Sequence, residues 1–340
     1  MTTIWNMPRI ELTDLSRIRE QRPAALLTGK RSWQAVNTMV KLPVVVQAEP
    51  ENAEKSYLDS LADGLPKQVQ SIYAVGGGLV ADAAKYIGSR RKLPVVLIPT
   101  ALSVDGFFTP IVSLRADGVG TYAATGPAER VLIDWDVVSA APAHIRGAGI
   151  VELLSIVTGL LDWRYAAEKG KNPLEERFQP WAAALAAGIA QQAFRIAKGV
   201  GEGQVQSLRE LLDLICMEVR LTTQIGHTRP QEGSEQFFAH ALQPRITLRG
   251  KKPYAELLGP GILLAMALHN QEIKPIKDTM LAAGVRLNTI DPQDITDTLT
   301  ALPAFVKDNK LPFSILNDVT ISADKARELL TVTGLQQSEV

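Results

Sequence analysis

The sequence has 340 residues, and its 36 Lys and Arg balance 36 Asp and Glu, so the formal net charge is zero. Hydrophobic residues make up 46% and charged residues 21%, which excludes a wholly disordered or fibrous chain. Because there is no basic surplus, the composition argues against a nucleic-acid partner and against an anionic membrane surface.

The length and the N-terminal residues predict a two-domain cytoplasmic protein. The segment MTTIWNMPRIELTD has no basic region followed by an apolar one, so we expect no signal peptide. The longest apolar stretches, such as PVVLIPTALSV, fall short of the roughly 20 residues of a membrane span. The one cysteine, Cys216, lies in an apolar helical pattern, which predicts a buried thiol and no internal disulfide.

Short apolar runs alternate with helical patterns in the first part of the chain. The runs cover residues 24–29, 43–49, 71–78 and 94–100, and the helical patterns include 53–64 and 79–89. Runs without polar alternation are typical of strands buried on both faces of a parallel sheet. Residues 1–146 are therefore predicted to form a doubly wound α/β nucleotide domain with a parallel sheet.

The pattern changes after Pro142. Apolar residues recur at helical spacing in long segments such as GIVELLSIVTGLLDWRYAAEK, and Gly or Pro punctuates most segment ends. Residues 147–340 are therefore predicted to form an all-helical C-terminal domain.

Three glycines, Gly76, Gly77 and Gly78, follow the third predicted strand and precede a helical pattern. Glycine lets the backbone turn sharply and approach a ligand, and a helix N-terminus favours a phosphate group. The spacing to Ala81 fits the dinucleotide fingerprint, but the ribose-binding acid expected about 20 residues later is absent. The segment predicts a dinucleotide site, with an ordinary tight turn as the alternative.

A second polar segment, residues 99–110, follows the next predicted strand. Loops at the carboxyl ends of parallel strands converge on one crevice, so this segment should lie beside the glycine loop. It would add the hydroxyls of Thr100, Ser103 and Thr109 and the carboxylate of Asp105. The alternative is a solvated turn in which Asp105 is a cap.

Four segments resemble the iron-containing alcohol dehydrogenase and dehydroquinate synthase superfamily, in particular its glycerol-1-phosphate dehydrogenase branch. Residues 76–85 match GGGxxxDxxK, and residues 99–106 match Pro-Thr-x-x-Ser-x-Asp-Gly. GHTRPQEGSEQFFAH (226–240) and YAELLGPGI (254–262) are similar to S-R-P-A-S-G-S-E-H-x-x-x-H and H-G-E-x-V-G-x-G.

The resemblance implies an active site between a nucleotide domain and a helical domain, in a protein that forms homo-oligomers. It implies that Asp105 and His240 face a small-molecule substrate, possibly phosphorylated in this branch. It also implies contacts to NAD(H) or NADP(H) from Gly76, Gly77, Gly78, Leu79, Asp82, Thr100, Ser103 and Thr109.

The metal site of the family is altered in this chain. The resemblance implies a divalent metal held by one Asp and two His, and Glu152, Gln236 and Tyr254 stand at those positions. Imidazole dominates affinity at zinc and nickel sites, whereas an amide oxygen and a neutral phenol are weak ligands. We therefore predict no tightly bound zinc or nickel, although Glu152 with water and a substrate phosphate would allow a loosely held Mg²⁺.

Glu152 lies in an apolar helical pattern and is expected to be buried. By alignment it accepts a hydrogen bond from a substrate hydroxyl or acts as a general base. The alternative is a salt bridge to Arg146 or Arg164.

Two further groups are candidates for substrate chemistry. His240 is one helical turn from Gln236 and could transfer a proton or, with Tyr254, donate hydrogen bonds to a substrate oxygen. Lys85 and Arg229 could neutralise a substrate phosphate, and the alternative is that both are surface charges.

Together these features predict an NAD(P)-dependent oxidoreductase of a small polyol, a ketose or its phosphate. Two alternatives stay open: a dehydroquinate-synthase-like lyase or cyclase that uses transient NAD oxidation, and a non-catalytic NAD(H)-binding relative. The choice between NAD and NADP is open too, because Lys30 or Arg31 could bind a 2′-phosphate or be simple surface charges.

Overall fold

The computed structural model describes residues 4–116, 119–247 and 252–336. The chain divides into two compact units, Met1–Pro142 and Ala143–Val340, which we call unit 1 and unit 2. The short helix at Ala143–Arg146 thus belongs to unit 2, whereas the sequence patterns assigned these residues to the first domain.

Unit 1 contains a six-stranded parallel sheet with the strand order β1-β8-β5-β4-β2-β3. A separate antiparallel hairpin, β6-β7, lies between β5 and β8 in the chain. The strands are β1 (Arg9–Leu12), β2 (Ala24–Thr28), β3 (Val44–Ala48), β4 (Ser71–Gly76), β5 (Val95–Pro99), β6 (Ile111–Ala116), β7 (Val119–Ala124) and β8 (Arg130–Ile133).

The four apolar runs form β2 to β5, which confirms the predicted parallel sheet. Every residue of β2, β4 and β5 is buried, as expected for central strands. The expectation of burial on both faces is wrong for β3, whose residues are exposed or half-buried, because β3 is an edge strand with a single neighbour.

Helices cover both faces of this sheet, as a doubly wound fold requires. The core on one face includes Tyr73 and Val75 of β4 together with Val36 and Val137 from two helices. On the other face, a Cβ atom on Gly88 would lie 2.3 Å from Val95 Cγ2, so this glycine lets its helix approach the sheet. The helices of unit 1 are α1 (Lys30–Val36), α2 (Lys55–Asp63), α3 (Gly78–Arg91) and α4 (Trp135–Ala140).

Unit 2 is helical, and no strand occurs in those parts of it that the structure describes. This agrees with the predicted all-helical second domain. Its helices are α5 (Ala143–Arg146), α6 (Ala148–Glu168), α7 (Pro180–Gly201), α8 (Val205–Ile225), α9 (Ser234–Thr247), α10 (Ala255–Leu268), α11 (Lys274–Ala282), α12 (Pro292–Asp308) and α13 (Ala323–Thr333).

Two features of unit 2 concern the predicted cell compartment. Of the described helices, Ala143–Glu168 is long and apolar enough to cross a membrane, but 67% of its apolar window is buried, as in a core helix. This helix is therefore weak support for a membrane span.

The second feature is Cys216, which is half-buried on α8. Burial raises the pKa of its thiol to about 12, so the thiol stays protonated at neutral pH.

Candidate functional site

The glycine loop forms the junction between β4 and α3 in unit 1. Gly76 has φ of 145°, a conformation that favours glycine, and a Cβ there would lie 3.1 Å from Ser32 Oγ. Gly77 has φ of −98°, and a Cβ at this position would meet no atom within 4 Å. The backbone at Gly77 therefore borders open space that a side chain would fill.

The N-terminus of α3 faces this open space without a side-chain cap. Among the described residues, no side chain caps the first turn, which begins at Gly78. Free N–H groups and the positive end of the helix dipole favour a phosphate group at such a position. The loop thus fits the pyrophosphate of a dinucleotide.

The second polar segment contacts the glycine loop, as the sheet topology led us to expect. A Cβ on Gly78 would lie 3.1 Å from Val104 Cγ2, and a Cβ on Gly106 would lie 3.6 Å from Asp82 Oδ1. Asp105 begins a 3₁₀ turn that is closed by a 2.7 Å hydrogen bond from Phe108 N to Asp105 O. Thr100, Ser103 and Thr109 are half-buried in the same segment.

The side chain of Asp82 lies where the glycine loop meets the second polar segment and is largely shielded from solvent. Its Oδ2 accepts a hydrogen bond of 3.3 Å from Ser113 N on β6. Burial raises the pKa of Asp82 to about 6, and the positive charge of Lys85, whose Nζ lies 3.5 Å from Asp82 Oδ1, works in the opposite direction.

Lys85 is buried, so its interpretation as a surface charge is wrong. Its Nζ donates hydrogen bonds to Thr109 O at 3.1 Å and to Ile111 O at 2.7 Å. Burial lowers the pKa of Lys85, and Asp82 and Asp105 oppose this effect. Because the ammonium group already binds two carbonyls and a carboxylate, it holds α3 to the hairpin and is not placed to bind a substrate phosphate.

In unit 2, two of the altered family positions contact each other. Tyr254, which directly precedes α10, donates a hydrogen bond from its Oη to Gln236 Oε1 on α9. The ring of His240 lies one turn further along α9, with its centroid 6.3 Å from that of Tyr254. The structure therefore brings these three predicted site residues together.

Glu152 is buried on α6, as predicted. The alternative salt bridge to Arg164 is wrong, because twelve residues along one helix correspond to about 18 Å. The guanidinium of Arg164 instead lies 5.8 Å from the centre of the Phe178 ring. Arg146 donates hydrogen bonds from Nε and Nη2 to carbonyl oxygens at the C-terminal end of α7.

The residues at the altered positions do not fit a tightly bound catalytic metal. A catalytic zinc site has three strong protein ligands and one open position. Here a phenol and an amide are hydrogen-bonded to each other at two of the three positions. Among the described residues, no group of three or more His, Cys, Asp and Glu could hold a metal ion.

A buried carboxylate that the sequence patterns did not single out fixes the start of α9. Asp162 Oδ2 accepts hydrogen bonds from Ser234 N at 2.7 Å and from Ser234 Oγ at 2.6 Å, and Oδ1 accepts one from Ile315 N at 2.8 Å. Oδ1 also lies 2.9 Å from His269 Nε2. Burial acts to raise the pKa of Asp162, but these hydrogen bonds, led by that of His269, hold it below its usual value. The sequence feature that could have pointed to this carboxylate is the position of Asp162 within the apolar pattern of α6.

Two more charged residues are buried beside this carboxylate. Arg229 is only 2% exposed, so its interpretation as a surface charge is wrong, and its Nη2 donates to Phe313 O at 2.8 Å. Glu235 is fully buried and accepts a 2.8 Å hydrogen bond from Gly233 N. Burial, followed by the negative charge of Asp162, raises the pKa of Glu235 to about 8.

Comparison with known proteins agrees with this architecture. The family model of iron-containing alcohol dehydrogenase matches residues 11–142. A glycerol-1-phosphate dehydrogenase [NAD(P)+] from Aeropyrum pernix is 29% identical over 311 residues, which are 90% of this chain and 84% of the relative. The enzyme of the same name from Methanothermobacter thermautotrophicus is 28% identical over 330 residues, covering 93% of this chain and 91% of the relative.

A solved structure shares the fold. The crystal structure of a probable glycerol dehydrogenase from Sinorhizobium meliloti superimposes with a TM-score of 0.69 at 17% identity, covering 98% of both chains. Residues 11–142 are therefore similar to the iron-containing alcohol dehydrogenase family, and most of the chain is similar in sequence to glycerol-1-phosphate dehydrogenases and in fold to the solved structure.

Proposed function

We propose that the protein is an NAD(P)-dependent oxidoreductase that interconverts a polyol phosphate and the corresponding ketose phosphate. The observation that carries this proposal is the open space beside Gly77, at the uncapped N-terminus of α3. The relatives named glycerol-1-phosphate dehydrogenase [NAD(P)+] support both the cofactor and the substrate class.

Unit 1 supplies the cofactor groups in this proposal. The backbone of Gly76 to Leu79 holds the pyrophosphate, and the segment from Thr100 to Thr109 borders it. When bound, the nicotinamide supplies or accepts a hydride. Asp105, in the same segment, and Glu152 and His240, in unit 2, are the proposed substrate contacts.

The structure places an acidic side chain beside Lys30 and Arg31, and this side chain bears on the choice between NAD and NADP. Glu49, directly after β3, places its Oε1 3.5 Å from where a Cβ on Gly29 would lie. Lys30 and Arg31 begin α1 next to this carboxylate and are exposed. A carboxylate here would accept a ribose hydroxyl, whereas the two cations would favour a 2′-phosphate. Glu49→Gln should therefore shift the ratio of Kd values toward NADP, which titration with both cofactors would measure.

A direct assay tests the proposed function. The absorbance of the reduced nicotinamide would be followed with glycerol 1-phosphate in the oxidative direction and with dihydroxyacetone phosphate in the reductive direction. Glycerol and dihydroxyacetone, which lack the phosphate, are the matched controls. We expect turnover of the phosphorylated pair. Failure of the wild-type protein to bind either cofactor in calorimetry would contradict the proposal.

A further inference from the structure

We propose that Tyr254, oriented by Gln236, performs here the task that a metal ion performs in iron-containing alcohol dehydrogenases. Its hydroxyl donates a hydrogen bond, and then a proton, to the oxygen of the reacting C–O group. This inference rests on the proposed function, and it makes the reaction independent of a divalent metal.

The contact between the two side chains carries the argument. Tyr254 donates from its Oη to Gln236 Oε1, and Gln236 is 8% exposed, so the acceptor is held inside the protein. Because the Gln236 amide is already buried and hydrogen-bonded, it loses little further conformational freedom when it orients the hydroxyl of Tyr254. The position of Tyr254 Oη is therefore fixed before any substrate arrives, while its proton is donated to Gln236 Oε1.

Gln236 suits this task because an amide both accepts and donates hydrogen bonds. It accepts from Oη in the structure. When a substrate oxygen binds, the amide can turn so that its NH₂ group donates to Oη, and the phenol proton is then free to be donated to the substrate. The two substitutions at the altered positions therefore make chemical sense as a pair.

The reaction balances without a metal. In the reductive direction, the substrate's carbonyl carbon gains a hydride from the reduced nicotinamide and its oxygen gains the proton of Tyr254 Oη. The C=O double bond becomes a C–O single bond, and the phenolate regains a proton from water. In the oxidative direction each of these transfers is reversed. Fixed hydrogen-bond donors can stabilise charge that develops on an oxygen in place of a cation.

The first experiment measures metal binding and does not depend on activity. Metal content of the untagged full-length protein would be determined by mass spectrometry, and zinc affinity by competition with a chromogenic chelator. We expect far less than one equivalent of metal in the wild type. The double variant Gln236→His, Tyr254→His should bind zinc about a hundredfold more tightly or better, because two imidazoles would replace a weak amide ligand and a neutral phenol.

The second experiment measures turnover. Tyr254→Phe removes the hydroxyl and keeps the ring, and kcat should fall by about a hundredfold or more, with KM and cofactor affinity nearly unchanged. The matched control is Tyr165→Phe, which removes a hydroxyl that donates to Asp318 Oδ2 at 2.6 Å elsewhere in unit 2. This control should keep the wild-type kcat.

The role of Gln236 as a positioning residue has its own readout. Gln236→Met keeps the length of the side chain and removes the acceptor, and kcat should fall by about tenfold or more. Combining Gln236→Met with Tyr254→Phe should lower kcat no further than Tyr254→Phe alone, because the amide acts through the phenol. Independent, additive losses would indicate that Gln236 has a separate structural effect.

Three outcomes overturn the inference. These are full kcat in Tyr254→Phe, stoichiometric metal in the wild type with reversible inactivation by a chelator, and a wild type that binds the cofactor but turns over no substrate. The first two leave the proposed function intact, since turnover persists in both cases. The third outcome, like absence of cofactor binding, refutes the proposed function itself.

Discussion

Gly77 is the residue at which cofactor binding can be separated from folding. Its φ of −98° is accessible to any L-residue, and a Cβ would meet no atom within 4 Å. Gly77→Val should therefore fold normally but fill the space where a pyrophosphate approaches the backbone. We expect the affinity for NAD(P) to fall by about a hundredfold or more, measured by calorimetry, with an unchanged midpoint of thermal unfolding.

Two other glycines provide controls for this variant. A Cβ on Gly188, on α7, also meets no atom within 4 Å, so Gly188→Val should preserve both folding and cofactor binding. A Cβ on Gly88 would lie 2.3 Å from Val95 Cγ2, so Gly88→Val should lower the thermal midpoint sharply. Wild-type cofactor affinity in Gly77→Val would refute the assignment of this loop.

Glu235 should make the stability of the protein depend on pH. Its folded-state pKa is about 8, above the ordinary glutamate value of 4.5, so the folded state keeps a proton that the unfolded state releases. The free energy of unfolding should therefore fall as the pH rises from about 4.5 through 8. Between pH 6 and 8.5 the decrease should be on the order of 2 kcal/mol.

The isosteric variant Glu235→Gln tests this dependence, since Gln cannot lose a proton in this range. Its amide oxygen can still accept the hydrogen bond from Gly233 N. Urea unfolding at both pH values should show a smaller decrease for the variant than for the wild type. Parallel pH profiles for the two proteins would show that Glu235 is ionised in both states.

At the scale of elements, Lys85 joins α3 to the start of the hairpin. Lys85→Met removes the donor of the hydrogen bonds to the carbonyls of Thr109 and Ile111 and the positive charge beside Asp82 and Asp105. We expect a loss of about 3–5 kcal/mol in the free energy of unfolding, because one partner of a buried charge network disappears. Chemical denaturation would measure this loss.

The matched control lies on the same helix. Arg90 forms ion pairs of 2.8 Å with Asp59 and 3.0 Å with Asp63, but its side chain is 41% exposed. Exposed pairs contribute about 0–1 kcal/mol, so Arg90→Met should cost far less than Lys85→Met. Equal losses in the two variants would contradict the role of burial at Lys85.

Which elements could be predicted from sequence depends on their burial. The central strands β2, β4 and β5 are buried on both faces and therefore consist of continuous apolar runs. The strand β1 has the sequence RIEL, too short and too polar for that rule, and β8 has only four residues. The strand β1 is defined by its pairing with β8, and β8 by its pairing with β1 and β5, which no local pattern reveals.

The prediction of the candidate site was limited in the same way, because local patterns do not reveal contacts between residues that are distant in sequence. Glycine spacing located the open backbone at Gly77, because conformation and close approach are local properties. The burial of Lys85 and Arg229 depends on chain segments far away in sequence, such as Phe313, which binds Arg229. The contact between Gln236 and Tyr254 likewise spans 18 residues and two helices. The local sequence around each of these residues therefore gave no sign of its distant partner.

At the scale of the whole molecule, unit 1 should suffice for cofactor binding. It contains the whole sheet, both polar segments and the helix that begins at Gly78. A fragment of residues 1–142 should bind NAD(P) within about tenfold of the full chain, measured by calorimetry. A folded fragment that binds no cofactor would show that unit 2 contributes to cofactor affinity. The predicted homo-oligomer and the cytoplasmic location stay predictions, and light scattering would test the first.

The pairing of β1 with β8 has a consequence for the order in which unit 1 folds during synthesis. Leu15 N donates a hydrogen bond to Asp134 Oδ2 across 119 residues, and β1 is an edge strand that pairs with β8. At roughly 5–20 residues per second, a ribosome takes about 6–24 s to add that stretch. Until then the free edge of β5 stays open to other chains, and the first strand made is the last to be incorporated. A nascent chain stalled before residue 130 should therefore require a chaperone, whereas one released after residue 142 should not.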